Sequence, residues 1–219
     1  MAMTRGQIKQ RVRVYGRHLF GGDEDRDPFG LDFLVTDVAN QVARATDCLV
    51  GRRILDLVED QQEYCAPDVY RIQAVFKVDA DTGDYTRLPI LWNYERGLDG
   101  WRNEDASHPV EKCAVFGQNR IGVYPTPDAA VTGGLVVEGY AVPGDYWEYD
   151  VDGVGQAPTE NDNCPLPDYS HEAVVYGVLA MRAKQKMDMA AAQMWDQEYR
   201  KHLGEVESNA AMYARRSGR

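Results

Sequence analysis

His171-Glu172 has the form of the first half of the zinc-protease pattern H-E-x-x-H, in which two histidines one helical turn apart hold the metal and the glutamate serves as base. Position 175 is valine, so the second ligand is missing, and both residues are expected at a helix start, facing solvent or a neighbouring subunit. Two acidic clusters, Glu59, Asp60 and Glu63 and the run Asp23, Glu24, Asp25 and Asp27, carry oxygen ligands that suit a hard cation. Neither has the glycine and glutamate spacing of an EF-hand loop, and both are expected to be solvated surface. Ser107 and Ser170 each adjoin a histidine but lack the strand-turn-helix context of a nucleophile, and no P-loop, G-x-S-x-G or G-x-G-x-x-G occurs. Cys48, Cys65, Cys113 and Cys164 are never closer than 17 residues and form no C-x-x-C pair, so they read as small buried hydrophobes or idle thiols. The expectation is therefore no catalytic residue, no metal ligand and no cofactor.

The chain has 219 residues, 44% hydrophobic and 27% charged, with no apolar run long enough for a bilayer span, so no membrane partner is expected. Met1 to Gln7 hold no apolar h-region, and no secretory signal is expected. The net charge of −11 is unevenly spread. Arg5, Lys9, Arg11, Arg13 and Arg17 precede any acid, and Arg215, Arg216 and Arg219 follow the last one, so the other 16 lysines and arginines stand against all 35 acids. Such an acidic body repels a phosphate backbone, which disfavours sequence-specific nucleic-acid binding.

Thr4-Arg5-Gly6-Gln7 has the form of a capping box, and Ile8, Val12, Tyr15 and Leu19 form a helical stripe opposite Lys9, Arg13 and Arg17. A turn-rich break at 21–28 precedes a second helix carrying Leu31, Leu34, Val38, Val42, Ala45 and Leu49, with Gly51 as its stop. From there the period shortens. Strands are expected at 54–58, 69–78, 86–91, 112–116, 120–124 and 135–142, with a short helix near 91–100 whose Trp92, with Trp101, packs on the sheet. The stretch 143–167, rich in proline, glycine and acids, reads as an arm that contacts a neighbour. Asp168 is the expected cap of a third helix and Asp188 of a fourth, which bears Ala192, Trp195, Tyr199, Leu203, Val206, Ala210 and Tyr213 at helical spacing. Trp195, Tyr199 and Tyr213 suit either a bundle core or an assembly surface.

The fold class expected is α+β: a helical bundle from the N- and C-terminal helices with an inserted antiparallel β-layer. The divisions are 1–51 (N-terminal helices), 52–142 (β-rich layer), 143–167 (arm) and 168–219 (C-terminal helices and basic tail). Two amphipathic helices that run into a basic tail, with no motif for chemistry, point to assembly.

Asn119-Arg120-Ile121-Gly122-Val123-Tyr124-Pro125-Thr126-Pro127-Asp128, the strand 135–142, and Leu166-Pro167-x-Tyr169-x-His171-Glu172-Ala173-Val174-x-Tyr176-Gly177 occur in an order that resembles tailed-bacteriophage head-to-tail adaptor proteins, also called neck or connector proteins. The resemblance covers about residues 110–205. Tyr64-Cys65-Ala66-Pro67-Asp68 stands where family members often carry Tyr-x-Leu-Pro-x-Asp. The resemblance implies a structural virion protein and no enzyme. Made in the host cytoplasm and located at the virion neck, it would form a twelve-fold homo-oligomeric ring that binds the portal protein and a tail or stopper (nozzle) protein around the DNA channel. It also implies portal docking through a C-terminal segment, for which Tyr213, Arg215, Arg216 and Arg219 are the candidates. The competing expectations are a metal-dependent hydrolase of unknown substrate built on the acidic clusters, and a DNA-packaging or regulatory protein that binds DNA through its basic ends.

Overall fold

The structure, a computed structural model, describes residues 2–20, 28–91, 110–143 and 161–216. The fold is α+β, and the chain separates into two units. One comprises residues 1–49 and 142–219 and is helical; the other, residues 50–141, is built of strands.

In the helical unit, α1 spans Arg5–Tyr15 and α2 spans Pro28–Thr46. A single 3-10 turn at Asp168–Ser170 leads into α3, His171–Gln185, and then α4, Met189–Arg216. The capping box at α1 is complete: the Gln7 N–H donates to Thr4 Oγ1 at 3.2 Å, and Gln7 Oε1 accepts from the Thr4 N–H at 3.0 Å. Ile8 and Val12 are fully buried, as are Val35, Val42, Val174, Val178 and Leu179 on the facing helices. Lys9 was expected on the opposite, solvated face of α1 but is buried, because it and Arg5 share the carboxylate of Asp32 on α2.

α2 stops at Thr46, short of Gly51. The Thr46 hydroxyl donates back to the Val42 carbonyl at 2.8 Å and Asp47 turns to φ 51°, a left-handed C-terminal stop. Gly51 instead lies in the first strand. Asp168 is exposed and starts the 3-10 turn without capping α3. Asp188 does cap α4, its Oδ1 accepting from the Ala191 N–H at 3.0 Å. Between α3 and α4 only Lys186, Met187 and Asp188 intervene, with Met187 at φ 59°, so the two helices form a tight antiparallel hairpin.

The β unit holds β1 (Val50–Leu57), β2 (Glu63–Cys65), β3 (Val69–Val78), β4 (Tyr85–Arg87), β5 (Ile90–Leu91), β6 (Lys112–Phe116), β7 (Arg120–Tyr124) and β8 (Val131–Ala141). They form two four-stranded sheets, ordered β1-β8-β3-β4 and β2-β7-β6-β5. Leu57, Val75, Leu135 and Val137 from the first share one core with Tyr64, Cys113, Ile121 and Val123 from the second. The single strand expected at 86–91 is divided. β4 pairs with β3, and the chain then crosses at Leu88-Pro89 so that β5 joins the other sheet, running parallel to β6. Pro89 has no N–H to continue a ladder, while its carbonyl accepts the Cys113 N–H at 3.0 Å. The layer is therefore antiparallel except at this one described pair. The helix expected near 91–100 lies, apart from Leu91 in β5, outside the described residues, as do Trp92 and Trp101. The β3–β4 hairpin turns between Val78 and Tyr85: Asp79 Oδ1 accepts the Asp81 and Thr82 N–H groups, which holds its carboxyl below the usual range, and Gly83 sits at φ 72°.

Candidate functional site

None of the chemical constellations forms an active site among the described residues. The Ser170 hydroxyl donates to the Pro167 carbonyl at 2.6 Å. His171 is fully buried, against the expectation that it faces solvent or a subunit neighbour. Its Nδ1 accepts the Met3 N–H at 3.2 Å and its Nε2 donates to the Leu166 carbonyl at 2.9 Å, so the ring is a clasp between the chain start and the segment before α3. Glu172 pairs with Arg11 on α1. Glu59, Asp60 and Glu63 are exposed, and no three His, Cys, Asp or Glu side chains converge as metal ligands among the described residues. Residues 23–27 and Ser107 lie outside them. Burial pushes the Cys113 and Cys164 thiols up to about 12; Cys48 is half-buried and also raised, and Cys65 is exposed. No helix among the described residues is long and apolar enough to cross a membrane.

The clasp gives the helical unit a pH dependence. Burial holds the His171 imidazole below its ordinary value, outweighing the Leu166 carbonyl and Asp168, which favour the proton, while Arg11 opposes it. The unfolded chain then takes up a proton near pH 6.5 where the folded chain does not. Stability is fully present above that pH and is lost as the pH falls below it toward the folded value. Urea unfolding of wild type should show a lower midpoint at pH 5.5 than at pH 7.5, and His171→Gln should flatten that part of the profile. An unchanged profile in the variant would remove the clasp as its cause.

What the helical unit does build is one long, half-exposed helix. α4 has 28 residues, about 42 Å at about 1.5 Å per residue. Its inner stripe is short of cover: Ala192 and Val206 alone are fully buried among its described side chains. Tyr176 on α3 anchors it, its ring stacked with Tyr15 at 6.0 Å, Trp195 at 5.9 Å and His202 at 5.0 Å. Gly177 lets the helices approach, since a Cβ there would meet Val38 Cγ1 at 2.5 Å and the Tyr199 ring at 3.0 Å. Trp195 and Tyr199 thus belong to the packed side. Tyr213 is 59% exposed and is held by one stack, with Tyr169 at 5.9 Å.

Of the candidates for docking, Tyr213 and Arg215 are exposed on the last turns of α4 and Arg216 ends the helix, while Arg219 lies outside the described residues. Arg5, Lys9 and Arg11 of the first helix are engaged within the unit by Asp32 and Glu172. Sequence reasoning missed Tyr176 as the hub and Tyr169 as the support of Tyr213. Their signal was faint: two tyrosines seven residues apart across a helix start. It also missed exposed Met187, Met189 and Met194 at the hairpin end of α4.

No curated protein matches the chain. The family model described as SU10 adaptor protein matches residues 3–219. The match takes in the helical unit, the strands and the long last helix together, and the chain belongs to that family of phage head-to-tail adaptors: it is a structural protein of the phage virion.

Proposed function

We propose that this adaptor works as a homo-oligomeric ring, twelve-fold and seated beneath the portal at the virion neck. The ring joins the portal to a tail or stopper protein around the channel through which DNA passes. The observation that carries the reading is α4. Its last fully buried described residue is Val206, and the two turns beyond it present Met212 and Tyr213, 47% and 59% exposed, followed by Arg215 and Arg216. A helix that continues past the core with aromatic and cationic side chains is suited to a partner surface, because aromatic residues and arginine carry much of the energy at interfaces. Tyr213, Arg215, Arg216 and Arg219 are the proposed portal contacts. The acidic body supports a channel wall to which DNA does not adhere, since phosphate affinity needs displaced counterions. A closed ring requires two different surfaces on each copy. The role is positional, with no catalytic step or cofactor.

Electron microscopy of the protein mixed with its portal tests this, comparing the full chain with one ending at residue 208. The full chain should decorate the portal with a ring and the shortened chain should not. Because the cut falls beyond Val206, the shortened chain should lose no more than about 4 °C of melting temperature. Equal decoration by both chains would place docking elsewhere, and decoration by neither would end the ring reading.

A further inference from the structure

Val206 is the last fully buried described residue of α4, yet the helix runs on to Arg216. The stretch 207–216, about 15 Å of helix at about 1.5 Å per residue, thus extends past the core. A helix end frays unless tertiary contacts tie it down, because its last carbonyls find no donor within the helix. Tyr213 supplies such a tie. It lies two turns beyond Val206 and on the same face, and its ring stacks on that of Tyr169 at 5.9 Å with 11° between the planes.

Tyr169 is itself held in place. Of the stretch 143–167 expected to be an arm, residues 144–160 lie outside the described residues, but the described end packs against its own chain. There the Asp162 carbonyl accepts the Arg5 N–H at 2.8 Å, the Cys164 N–H donates to the Met3 carbonyl at 2.9 Å, and Leu166 is buried. The 3-10 turn that follows is closed twice. The Ser170 hydroxyl donates to the Pro167 carbonyl at 2.6 Å, and His171 Nε2 reaches across the whole turn to the Leu166 carbonyl at 2.9 Å. Tyr169 stands inside this closed turn, half-buried. Burial, with Cys48 and Tyr213 as neighbours, pushes its hydroxyl up, which sets the ring between the chain just past α2 and the end of α4.

We propose that the turn from Leu166 to His171 is a bracket that keeps residues 207–216 helical before any partner is met, with Tyr169 as the positioning residue for the docking end. The inference rests on the reading of that end as the portal contact. One face of the Tyr213 ring lies on Tyr169, while Met212 and Arg215 beside it are exposed. A partner therefore meets a finished helix, and docking avoids the ordering cost of a tail that folds on contact. Tyr169 is not among the proposed portal contacts, so its truncation acts on docking only through the bracket.

Hydrogen exchange of the free full-length chain, read in 207–216 against 189–206, tests the bracket, and titration of the same chains against the portal tests its use. Tyr169→Ala should quicken exchange in 207–216 about five-fold, the order of one aromatic pair, and weaken portal binding by about the same factor, with 189–206 unchanged. Tyr169→Phe, which keeps the ring, should behave as wild type. Tyr213→Ala, at an exposed position, should quicken the same residues, and Tyr169→Ala should add nothing on top of it. Unchanged exchange in both alanine variants, or an increase shared by all of α4, overturns the bracket and leaves the ring reading intact. Faster exchange with undiminished portal binding overturns its role in docking. A wild-type chain that never binds the portal overturns the ring reading and the docking role together, while exchange of the free chain still decides the bracket.

Discussion

Gly139→Val should leave the β unit unable to fold, with loss of soluble protein or a destabilisation beyond about 4 kcal/mol. Gly139 sits near the C-terminal end of β8, between two neighbouring strands, opposite Gly51 on β1 and Ile72 on β3. A Cβ at that position would lie 2.2 Å from the Arg71 carbonyl oxygen, 2.7 Å from Val69 Cγ1 and 2.9 Å from the Ile72 Cα. Two of the three are backbone atoms of a paired strand, and they cannot retreat without opening the ladder. The crowding has a local origin: the β3–β8 register shifts between Val69 and Arg71 and again between Ile72 and Ala74, and these irregularities press β3 against β8. Because the first carbon alone makes the collision, Gly139→Ala should already cost several kcal/mol by the same overlap, about 2–4. The contrast is Gly204 on α4, where nothing lies within 4 Å and alanine should stabilise by up to about 1 kcal/mol through helix propensity. Urea titrations followed by circular dichroism measure all three. A Gly139→Ala midpoint equal to wild type would show that the strands give way and that the bulge is not rigid.

The irregularities that make Gly139 critical are also what the sequence concealed. The strands at 69–78, 112–116 and 120–124 were readable to the residue, because β-branched alternation bounded by turn residues is a local signal. The capping box was equally local. The division of 86–91 between two sheets was not readable, since a Leu-Pro step reads the same whether a strand bends or changes partner. At the candidate interface, α4 was visible from its stripe, yet the stripe could not say where cover ends. That depends on the length of α3 and on the Tyr176 stack, both of which are tertiary. His171 was misplaced for the same reason. A histidine at a helix start is ordinarily solvated, and only the distant Met3 N–H and the Leu166 carbonyl make its burial tolerable.

Lys9 was misplaced by the same logic, and it carries the second large expectation: Asp32→Ala should destabilise the helical unit by about 3 kcal/mol, the lower end of what breaking a buried ion pair costs. Asp32 Oδ1 lies 2.9 Å from Arg5 Nε and 3.0 Å from Lys9 Nζ, and its main-chain carbonyl accepts from Arg5 Nη2 at 3.2 Å. Both cationic side chains are only 4% exposed and the carboxylate is 30% exposed, so removing it strips two desolvated cations of the charge they share. Removing a cation instead leaves no orphan of the same kind, and its stem is apolar. Lys9→Met should therefore cost less than Asp32→Ala, with Asp32→Asn between them because one oxygen can still accept a hydrogen bond. The reverse order would mean that the cations are held by packing and that the carboxylate is incidental.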